Sequence, residues 1–300
     1  MTWRENAVSD RVELEKYKQQ IANLYSARSA SYDRGDWHPR IARRLVEYAR
    51  LSPGQQVLDI ATGTGMVALL AAQIVKMEGH VIGIDISTGM LERARQKLKA
   101  SGLKNIEFQL ADGEALSFRE NHFDTIFCSS AMIWMSDLHR ALRLWQRCLK
   151  PGGLLCFHAF ADTAFVGGVV SQKILEKYDV SLSLNKPTGT TQKCYDLMDA
   201  AGFENIEIKS EPDGSYISLE QAKGMWIGDS SFPTPGQYPN PLRELSLSQR
   251  VEAKIEFDAV LDSLQTERGI WDDRTIFYTL GRKAFPKDGL ASGRIISNGY

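Results

Sequence analysis

Hydrophobic and polar positions follow two patterns along this chain, and the two patterns alternate. Short apolar runs rich in β-branched residues predict buried strands, whereas apolar residues repeating every three or four positions predict helices with one packed face. Strands that alternate with helices are typical of a parallel sheet covered on both faces. The predicted strands span residues 56–60, 80–85, 105–110, 123–128, 154–160, 206–209 and 275–280.

The segment around the first predicted strand shows the strongest pattern. An apolar run beginning at Val57 contains one acid, Asp59, and leads to two glycines, Gly63 and Gly65, after which a helical pattern begins. Glycines let the backbone turn sharply and let a ligand approach it closely, and the amides at the start of the next helix face such a ligand. The segment therefore predicts a strand, a tight turn and a helix that bind a nucleotide-like cofactor.

Two cofactors are compatible with this turn. Residues 63–68 also satisfy the dinucleotide fingerprint with alanine in third place, and Asp85 follows by about the 20 residues expected of a ribose-binding acid. Asp59 weighs against a dinucleotide, because an acid about 4 Å from a pyrophosphate charge would cost about 4 kcal/mol at an effective dielectric of about 20. A sulfonium cofactor with an ammonium group would instead be attracted. Asp112, after the third predicted strand, could accept a hydrogen bond from its adenine amino group.

Composition narrows the classes of partner. Lysine plus arginine number 36 and aspartate plus glutamate 37, giving a net charge of −1, so no basic excess favours nucleic acid. No apolar run approaches the ~20 residues of a membrane-spanning helix, and the amino terminus lacks the apolar core of a signal peptide. The four cysteines form no C-x-x-C pair and no zinc-type cluster, which predicts reduced thiols, no metal site and a cytoplasmic protein. The sequence leaves the oligomeric state open.

Five motifs occur in order over about a hundred residues. They are Asp59-x-x-x-Gly63-x-Gly65, Gly83-Ile84-Asp85-Ile86-Ser87 with Met90-Leu91, Ala111-Asp112-Gly113-Glu114-Ala115-Leu116, Phe123-Asp124, and Leu149-Lys150-Pro151-Gly152-Gly153. This set resembles the ordered motifs of class I S-adenosylmethionine-dependent methyltransferases, most nearly the ubiquinone/menaquinone-biosynthesis type and its small-molecule relatives. The resemblance covers about residues 20–160 well and the last third of the chain in outline only.

The resemblance implies an α/β fold. We expect a doubly wound, Rossmann-like sheet of seven mostly parallel strands with a reversed last strand and a mostly helical lid. The expected organisation is an N-terminal helical lid segment at 1–50, a cofactor-binding core at 51–210 and 274–284, an inserted substrate lid at 211–273, and a flexible tail at 285–300.

The resemblance also implies how the cofactor is held. Asp85 would bind the ribose hydroxyls, Asp112 the adenine, and Asp59 would lie towards the amino-acid end. Tyr25 and Tyr32, in the segment before the first strand, would close over the methionine end. For each of these tyrosines the alternative is that it only packs against its neighbours. The same alternative applies to Met90, which would lie near the adenine. The other expected cofactor contacts are Ala61, Thr62, Gly63, Gly65, Ile86, Gly113 and Ser129.

The expected reaction is transfer of a methyl group from S-adenosylmethionine to a small organic acceptor, leaving S-adenosylhomocysteine. The acceptor atom could be oxygen, nitrogen or carbon, with an aromatic or quinone-like molecule among the candidates. A base would accelerate reaction at a phenol, enol or carbon acid by about 10²–10⁴-fold. His158 is the first candidate for that base and Tyr25 a lesser one, with a packing role as the alternative for His158. Two other functions stay open, an NAD-dependent oxidoreductase and a non-catalytic cofactor-binding regulatory protein.

Overall fold

The computed structural model describes residues 14–229, 234–238 and 240–286. Its strands are β1 (Gln56–Ile60), β2 (His80–Asp85), β3 (Ile106–Leu110), β4 (Phe123–Cys128), β5 (Leu149–Phe160), β6 (Phe203–Glu211), β7 (Gly214–Ile217), β8 (Ile270–Asp273) and β9 (Ile276–Lys283). Its α-helices are α1 (Lys16–Arg28), α2 (Trp37–Ala49), α3 (Met66–Val75), α4 (Thr88–Ser101), α5 (Leu138–Cys148), α6 (Val166–Leu175), α7 (Thr191–Ala200), α8 (Leu219–Lys223) and α9 (Leu247–Leu264).

Within the described residues, seven strands form one sheet in the order β3-β2-β1-β4-β5-β9-β6. Neighbouring strands from β3 to β5 are parallel, and β9 is antiparallel to both β5 and β6. The chain order reverses between β1 and β4, and ligands of open α/β sheets bind outside the strand ends at such a point. The expected fold of seven mostly parallel strands with a reversed last strand is confirmed.

Helices cover both faces of this sheet, because each has one apolar face. On one face α2, α3 and α4 bury Leu45, Ala71 and Leu91 against the strands. On the other face α5 and α7 bury Trp145 and Met198. The Trp145 ring is fully buried, and its Nε1 donates to the Gly113 carbonyl at 2.7 Å. This bond anchors the loop after β3, which lies at the ligand-binding edge of the sheet.

A second, smaller unit packs beside the sheet around its own apolar core. It combines α6, which follows β5, with α8, α9 and the two-stranded β7–β8 ladder from the segment between β6 and β9. The loop at 234–238 links this unit to α1, since the Gly236 amide donates to Tyr17 Oη at 2.6 Å. The sequence pattern did not predict β7 and β8, because each is only four residues long and partly exposed.

Other differences from the predicted elements concern strand ends. β5 begins at Leu149 rather than at 154, β6 extends from Phe203 to Glu211, and β9 lies between β5 and β6, so β6 is the edge strand. Parts of the expected N-terminal segment (1–13), of the insertion (230–233 and 239) and of the tail (287–300) lie outside the described residues. Across the described ranges, no helix combines the length and apolar character that crossing a bilayer would need.

Candidate active site

A cavity of about 700 Å³ lies at the carboxyl ends of β1, β2 and β4, beneath α1. Residues from the loops after these strands form its floor, and Lys18, Ile21 and Tyr25 of α1 form part of its wall. A smaller cavity of about 360 Å³ adjoins it and contains His38 and Asp59 in its wall. The two cavities share a boundary formed by Tyr32, Ala61, Gly63, Ser129 and Ser130.

The turn after β1 has the tight conformation that its glycines predict. Gly63 has a φ of +56°, and a Cβ at this position would meet only the Tyr32 ring, at 4.0 Å, so its open side faces the cavities. Gly65 differs, because a Cβ there would lie 2.7 Å from the Phe108 ring. Gly65 is not among the described residues that line either cavity. The absence of a side chain at Gly65 therefore lets α3 pack closely on β3, whereas Gly63 can face a ligand.

Asp59 lies at the end of β1 and is almost fully buried. Its Oδ2 accepts hydrogen bonds from Thr62 Oγ1 at 2.5 Å and from the Ala68 amide at 3.1 Å. Its Oδ1 is buried and has no hydrogen-bond partner among the described residues. Burial raises the pKa of Asp59 to about 7. An unpaired carboxylate oxygen on a residue that lines the smaller cavity is suited to a cationic ligand group.

Asp85 ends β2 and lines the larger cavity together with Ile86. Its two oxygens accept from the Gly63 amide and from the Ser87 amide, each at 2.8 Å. The carboxylate thus ties the turn after β1 to the turn after β2. Burial raises its pKa to about 6, against the effect of these hydrogen bonds. A carboxylate can accept about four hydrogen bonds, so Asp85 retains capacity for a ligand's hydroxyl groups.

Asp112 follows β3 and is engaged by a residue that the sequence did not single out. Lys18 Nζ of α1 lies 2.5 Å from Asp112 Oδ2 and 2.9 Å from Glu114 Oε2. Burial alone would lower the pKa of Lys18, but its hydrogen bonds to both acids raise it overall. Glu114 also accepts from the amides of Ser136 and Asp137. This cluster of Lys18, Asp112 and Glu114 closes α1 onto the floor of the cavity.

A second contact holds α1 in place near the start of α4. Ser87 caps α4 by accepting from the Met90 amide at 3.2 Å, as expected for a serine in this position. Its hydroxyl also lies 2.8 Å from the hydroxyl of Ser26 on α1. Met90 itself is buried and lines the larger cavity, as does Gly113.

Aromatic side chains form one wall of the larger cavity. Tyr25 makes edge contacts with Tyr32 and Trp134, with ring centroids 6.0 and 5.9 Å apart. Tyr32 also stacks on His38 at 4.2 Å. Burial raises the pKa of both tyrosines, so their phenols stay protonated at neutral pH. This protonation state does not suit the expectation that Tyr25 removes a proton.

The loop after β4 carries Ser129 and Ser130 into the walls of both cavities. His158 of β5 lies behind them, buried, within hydrogen-bond distance of both serines. It is not among the described residues that line either cavity. Burial lowers its pKa to about 3. The structure therefore places His158 behind the cavity wall, which differs from the expected position of a base that touches the acceptor.

Sequence reasoning predicted part of the cavity walls. Ten of the expected contacts line the larger cavity: Tyr25, Tyr32, Ala61, Gly63, Asp85, Ile86, Met90, Asp112, Gly113 and Ser129. Asp59 and Thr62 line the smaller one. The wall residues that were not among the expected contacts include Lys18, Glu114, Ser130 and Trp134. Glu114 and Ser130 lie next to predicted site residues, which is a signal that could have found them.

Residues 57–153, from β1 into β5, match the family model described as a methyltransferase domain. The ubiquinone/menaquinone biosynthesis C-methyltransferase UbiE of Shewanella frigidimarina is 31% identical over 228 residues, which cover 68% of this chain and 90% of that protein. Aklanonic acid methyltransferase DauC of Streptomyces sp. is 35% identical over 143 residues, covering 47% of this chain and 65% of that protein.

Solved structures share the fold at low sequence identity. Phosphoethanolamine N-methyltransferase 2 of Haemonchus contortus, solved with S-adenosylmethionine, has a TM-score of 0.56 at 15% identity, over 91% of this chain and 61% of that one. YcgJ of Bacillus subtilis has a TM-score of 0.55 at 18% identity, over 83% of this chain and all of that one.

The two curated relatives are methyltransferases, which supports the sulfonium cofactor that Asp59 favoured over a dinucleotide. The protein is an enzyme that uses S-adenosylmethionine to methylate a small organic acceptor. With the ordered motifs, the doubly wound sheet and a relative matched over nine-tenths of its length, the chain belongs to the class I S-adenosylmethionine-dependent methyltransferases of the ubiquinone/menaquinone-biosynthesis type.

Proposed function

We propose that this enzyme methylates a planar, hydroxylated aromatic acceptor of the quinol or phenol class. The observation that carries the proposal is the aromatic wall of Tyr25, Tyr32 and Trp134. Rings in edge contact offer both faces and edges to a flat apolar ligand, and a mainly apolar wall with few polar groups is typical of small-molecule sites. The names of two relatives, which refer to quinone biosynthesis and to aklanonic acid, support the same class.

The residues of the two cavities fit S-adenosylmethionine. We infer that Asp85 accepts from the ribose hydroxyls, beside Ile86, while Met90 and Gly113 surround the adenine. Gly63 has an open side on which the cofactor can approach the backbone. The unpaired Oδ1 of Asp59 would attract the ammonium group of the amino-acid end. We infer that Tyr32, Ala61 and Ser129, where the two cavities meet, and Thr62 in the smaller cavity surround that same end.

Asp112 can take its expected role only in company with Lys18. Its Oδ1 accepts from the Glu114 amide at 2.9 Å, and its Oδ2 from Lys18 at 2.5 Å. An adenine amino group would have to share one of these oxygens. We infer that Lys18 and the adenine together satisfy Asp112, so that closing of α1 and binding of the cofactor are coupled.

Bound S-adenosylmethionine supplies a methyl group that its sulfonium has already activated. The chain's contribution is to hold the acceptor in line with that group and to exclude water. The aromatic wall of Tyr25, Tyr32 and Trp134 would orient the flat acceptor, and α1 would cover it. Methylation forms a bond from the acceptor to the methyl carbon, breaks the bond from that carbon to sulfur, and releases one proton from the acceptor.

His38 is better placed than His158 to receive that proton. It lines the smaller cavity and stacks on Tyr32, at the boundary between the two cavities. Burial, and then the charge of Arg28, lower its pKa, so the ring is neutral at neutral pH and has a lone pair available. We infer that His38 accepts the proton, directly or through a water molecule.

A panel of acceptors tests the proposed class. Release of S-adenosylhomocysteine should be seen with the quinol 1,4-dihydroxynaphthalene and with simple phenols. It should not be seen with naphthalene or with the aliphatic amine phosphoethanolamine. Trp134→Ala should raise the KM for the aromatic acceptor, because it removes part of the wall. Trp271→Ala is the matched control, since Trp271 is a half-exposed residue of β8 that is not among the described cavity residues. Methylation of phosphoethanolamine and of none of the aromatic acceptors would overturn the proposal.

A further inference from the structure

The loop after β4 and the strand behind it form an arrangement that the proposed function does not yet use. We propose that Ser130 is a specificity-determining residue whose hydroxyl donates a hydrogen bond to an oxygen of the acceptor, and that His158 fixes the direction of that hydroxyl. The inference rests on the proposed hydroxylated acceptor, because an acceptor without oxygen would have nothing to receive this bond.

The first step concerns which nitrogen of His158 is protonated. The Ser130 amide donates to His158 Nδ1 at 3.2 Å. A backbone amide nitrogen can only donate, so Nδ1 must present a lone pair. A neutral imidazole has one protonated nitrogen, which is then Nε2. The hydroxyl of Ser129, 3.3 Å from Nδ1, can likewise only donate to it.

The second step concerns the charge of the ring. His158 is 1% exposed, and the rings of Phe160 and Tyr278 lie beside it, with centroids 5.3 and 6.3 Å away. Burial, and then the charge of His38, lower its pKa to about 3. The ring is therefore neutral at neutral pH, and Nδ1 remains an acceptor.

The third step follows for the hydroxyl of Ser130. His158 Nε2 lies 3.2 Å from Ser130 Oγ, so the protonated Nε2 donates to that oxygen. The hydroxyl's own proton is then left for another acceptor, and Ser130 lines both cavities. A serine–histidine dyad, in which the ring takes the serine's proton, would need a lone pair on Nε2. That requirement is incompatible with the amide donating to Nδ1.

Backbone conformation gives independent support. Ser130 has a φ of +59°, in the left-handed region that a residue with a side chain rarely adopts. Residues held in such conformations cluster at sites of function, where the surrounding structure over-determines them. Here the amide and hydroxyl bonds to His158 hold Ser130 in that conformation. His158 is thus a positioning residue, and Ser130 is the group that would touch the acceptor.

Long-range proton–nitrogen NMR spectra of the histidine-labelled enzyme test the first two steps. Comparison with His158→Gln identifies the His158 signals. At pH 7 they should show an unprotonated Nδ1 and a protonated Nε2, and the pattern should persist at pH 5. A proton on Nδ1, or protonation of both nitrogens above pH 5, would overturn the inference whatever the acceptor is.

Steady-state kinetics with the hydroxylated acceptor test the third step. Ser130→Ala should lower kcat/KM by roughly 10- to 100-fold, the range for one hydrogen bond to a charged oxygen, with the dissociation constant for S-adenosylhomocysteine unchanged. Ser130→Gly is the matched control for the backbone, since glycine adopts the positive φ without a hydroxyl. The glycine variant should lose as much as the alanine variant. Recovery of activity in the glycine variant would assign the effect to the backbone and overturn the inference.

The role of His158 is tested by comparing two replacements. Gln can still accept from the Ser130 amide and donate to its hydroxyl, so His158→Gln should retain most activity, whereas His158→Leu should match Ser130→Ala. If hydroxylated acceptors are methylated and Ser130→Ala has no effect, the inference fails while the proposed function stands. If only acceptors that lack oxygen are methylated, both fail.

Discussion

Asp59→Asn is expected to stabilise the enzyme at pH 8, and to have little net effect on its stability at pH 5. Burial raises the pKa of Asp59 from its ordinary value of 3.8 to about 7. A carboxyl with a raised pKa in the folded state favours folding below the unfolded pKa and loses that contribution as pH rises through the folded pKa. At pH 8 the Asp59 carboxylate is therefore ionised in the folded enzyme although it is buried, and this lowers the free energy of unfolding.

The two pKa values set the magnitude. With 3.8 in the unfolded chain and about 7 in the folded one, the raised pKa of Asp59 lowers the free energy of unfolding by about 2 kcal/mol at pH 5 and about 4 kcal/mol at pH 8. Asparagine does not titrate, so the advantage of the variant should grow by about 2–3 kcal/mol between these pH values. Its amide group would be left buried without a partner at a cost of roughly 1–3 kcal/mol. That cost is equal at both pH values and cancels from the comparison.

Urea unfolding of the wild-type enzyme and the variant at pH 5 and pH 8 gives the four free energies required. Asp199→Asn serves as the control, because Asp199 is an exposed acid on α7. A stability difference for Asp59→Asn that does not change with pH would refute the reasoning from burial. The same variant should bind S-adenosylmethionine more weakly, if Asp59 attracts the ammonium group as we propose.

Three further predictions address the rest of the site. Asp85→Ala should raise the dissociation constant for S-adenosylhomocysteine by at least about 100-fold, as expected for losing hydrogen bonds to a charged group; calorimetric titration measures it, and an unchanged constant would rule out the ribose contact. Lys18→Met should lower the free energy of unfolding by roughly 1–3 kcal/mol, because it leaves Asp112 and Glu114 facing each other without a cation; Lys16→Met, at an exposed position of the same helix, should be neutral in the same denaturation experiment. His38→Gln should slow methylation of a phenol or quinol by about 10²–10⁴-fold and slow an amine acceptor much less, and equal rates for both would exclude His38 as the base.

The fold and the floor of the site could be predicted from the sequence because their signals are local. Asp59, Gly63 and Asp85 lie at the ends of buried strands, and the parallel arrangement of those strands brings the ends to one edge of the sheet. Once the strands are assigned, the positions of these residues follow from the topology. Ser87, a serine between β2 and α4, caps α4 by the same kind of local interaction.

The wall of the site could not be predicted in this way, because it depends on long-range packing. Lys18 contacts Asp112 across 94 residues of sequence, and a single lysine in an amphipathic helix has the pattern of a solvated position. The position of His158 on a strand likewise indicates a face of the sheet. It does not indicate whether the ring reaches the cavity or lies behind another residue, as it does behind Ser130.

Burial raises the pKa values of Asp59 and Asp85, and it favours a cationic cofactor at this end of the sheet. Asp59 and Asp85 are both buried, and the charge of Asp85 adds to the effect of burial on the pKa of Asp59. Lys18 offsets Asp112 and Glu114 but does not contact Asp59, so the negative charge at the end of β1 has no compensating cation within the part of the chain that the structure describes. A ligand with positive charge would relieve this cost, and a pyrophosphate would increase it. The charge of Asp59 therefore destabilises the free enzyme and attracts the cofactor, and Asp59→Asn should remove both effects.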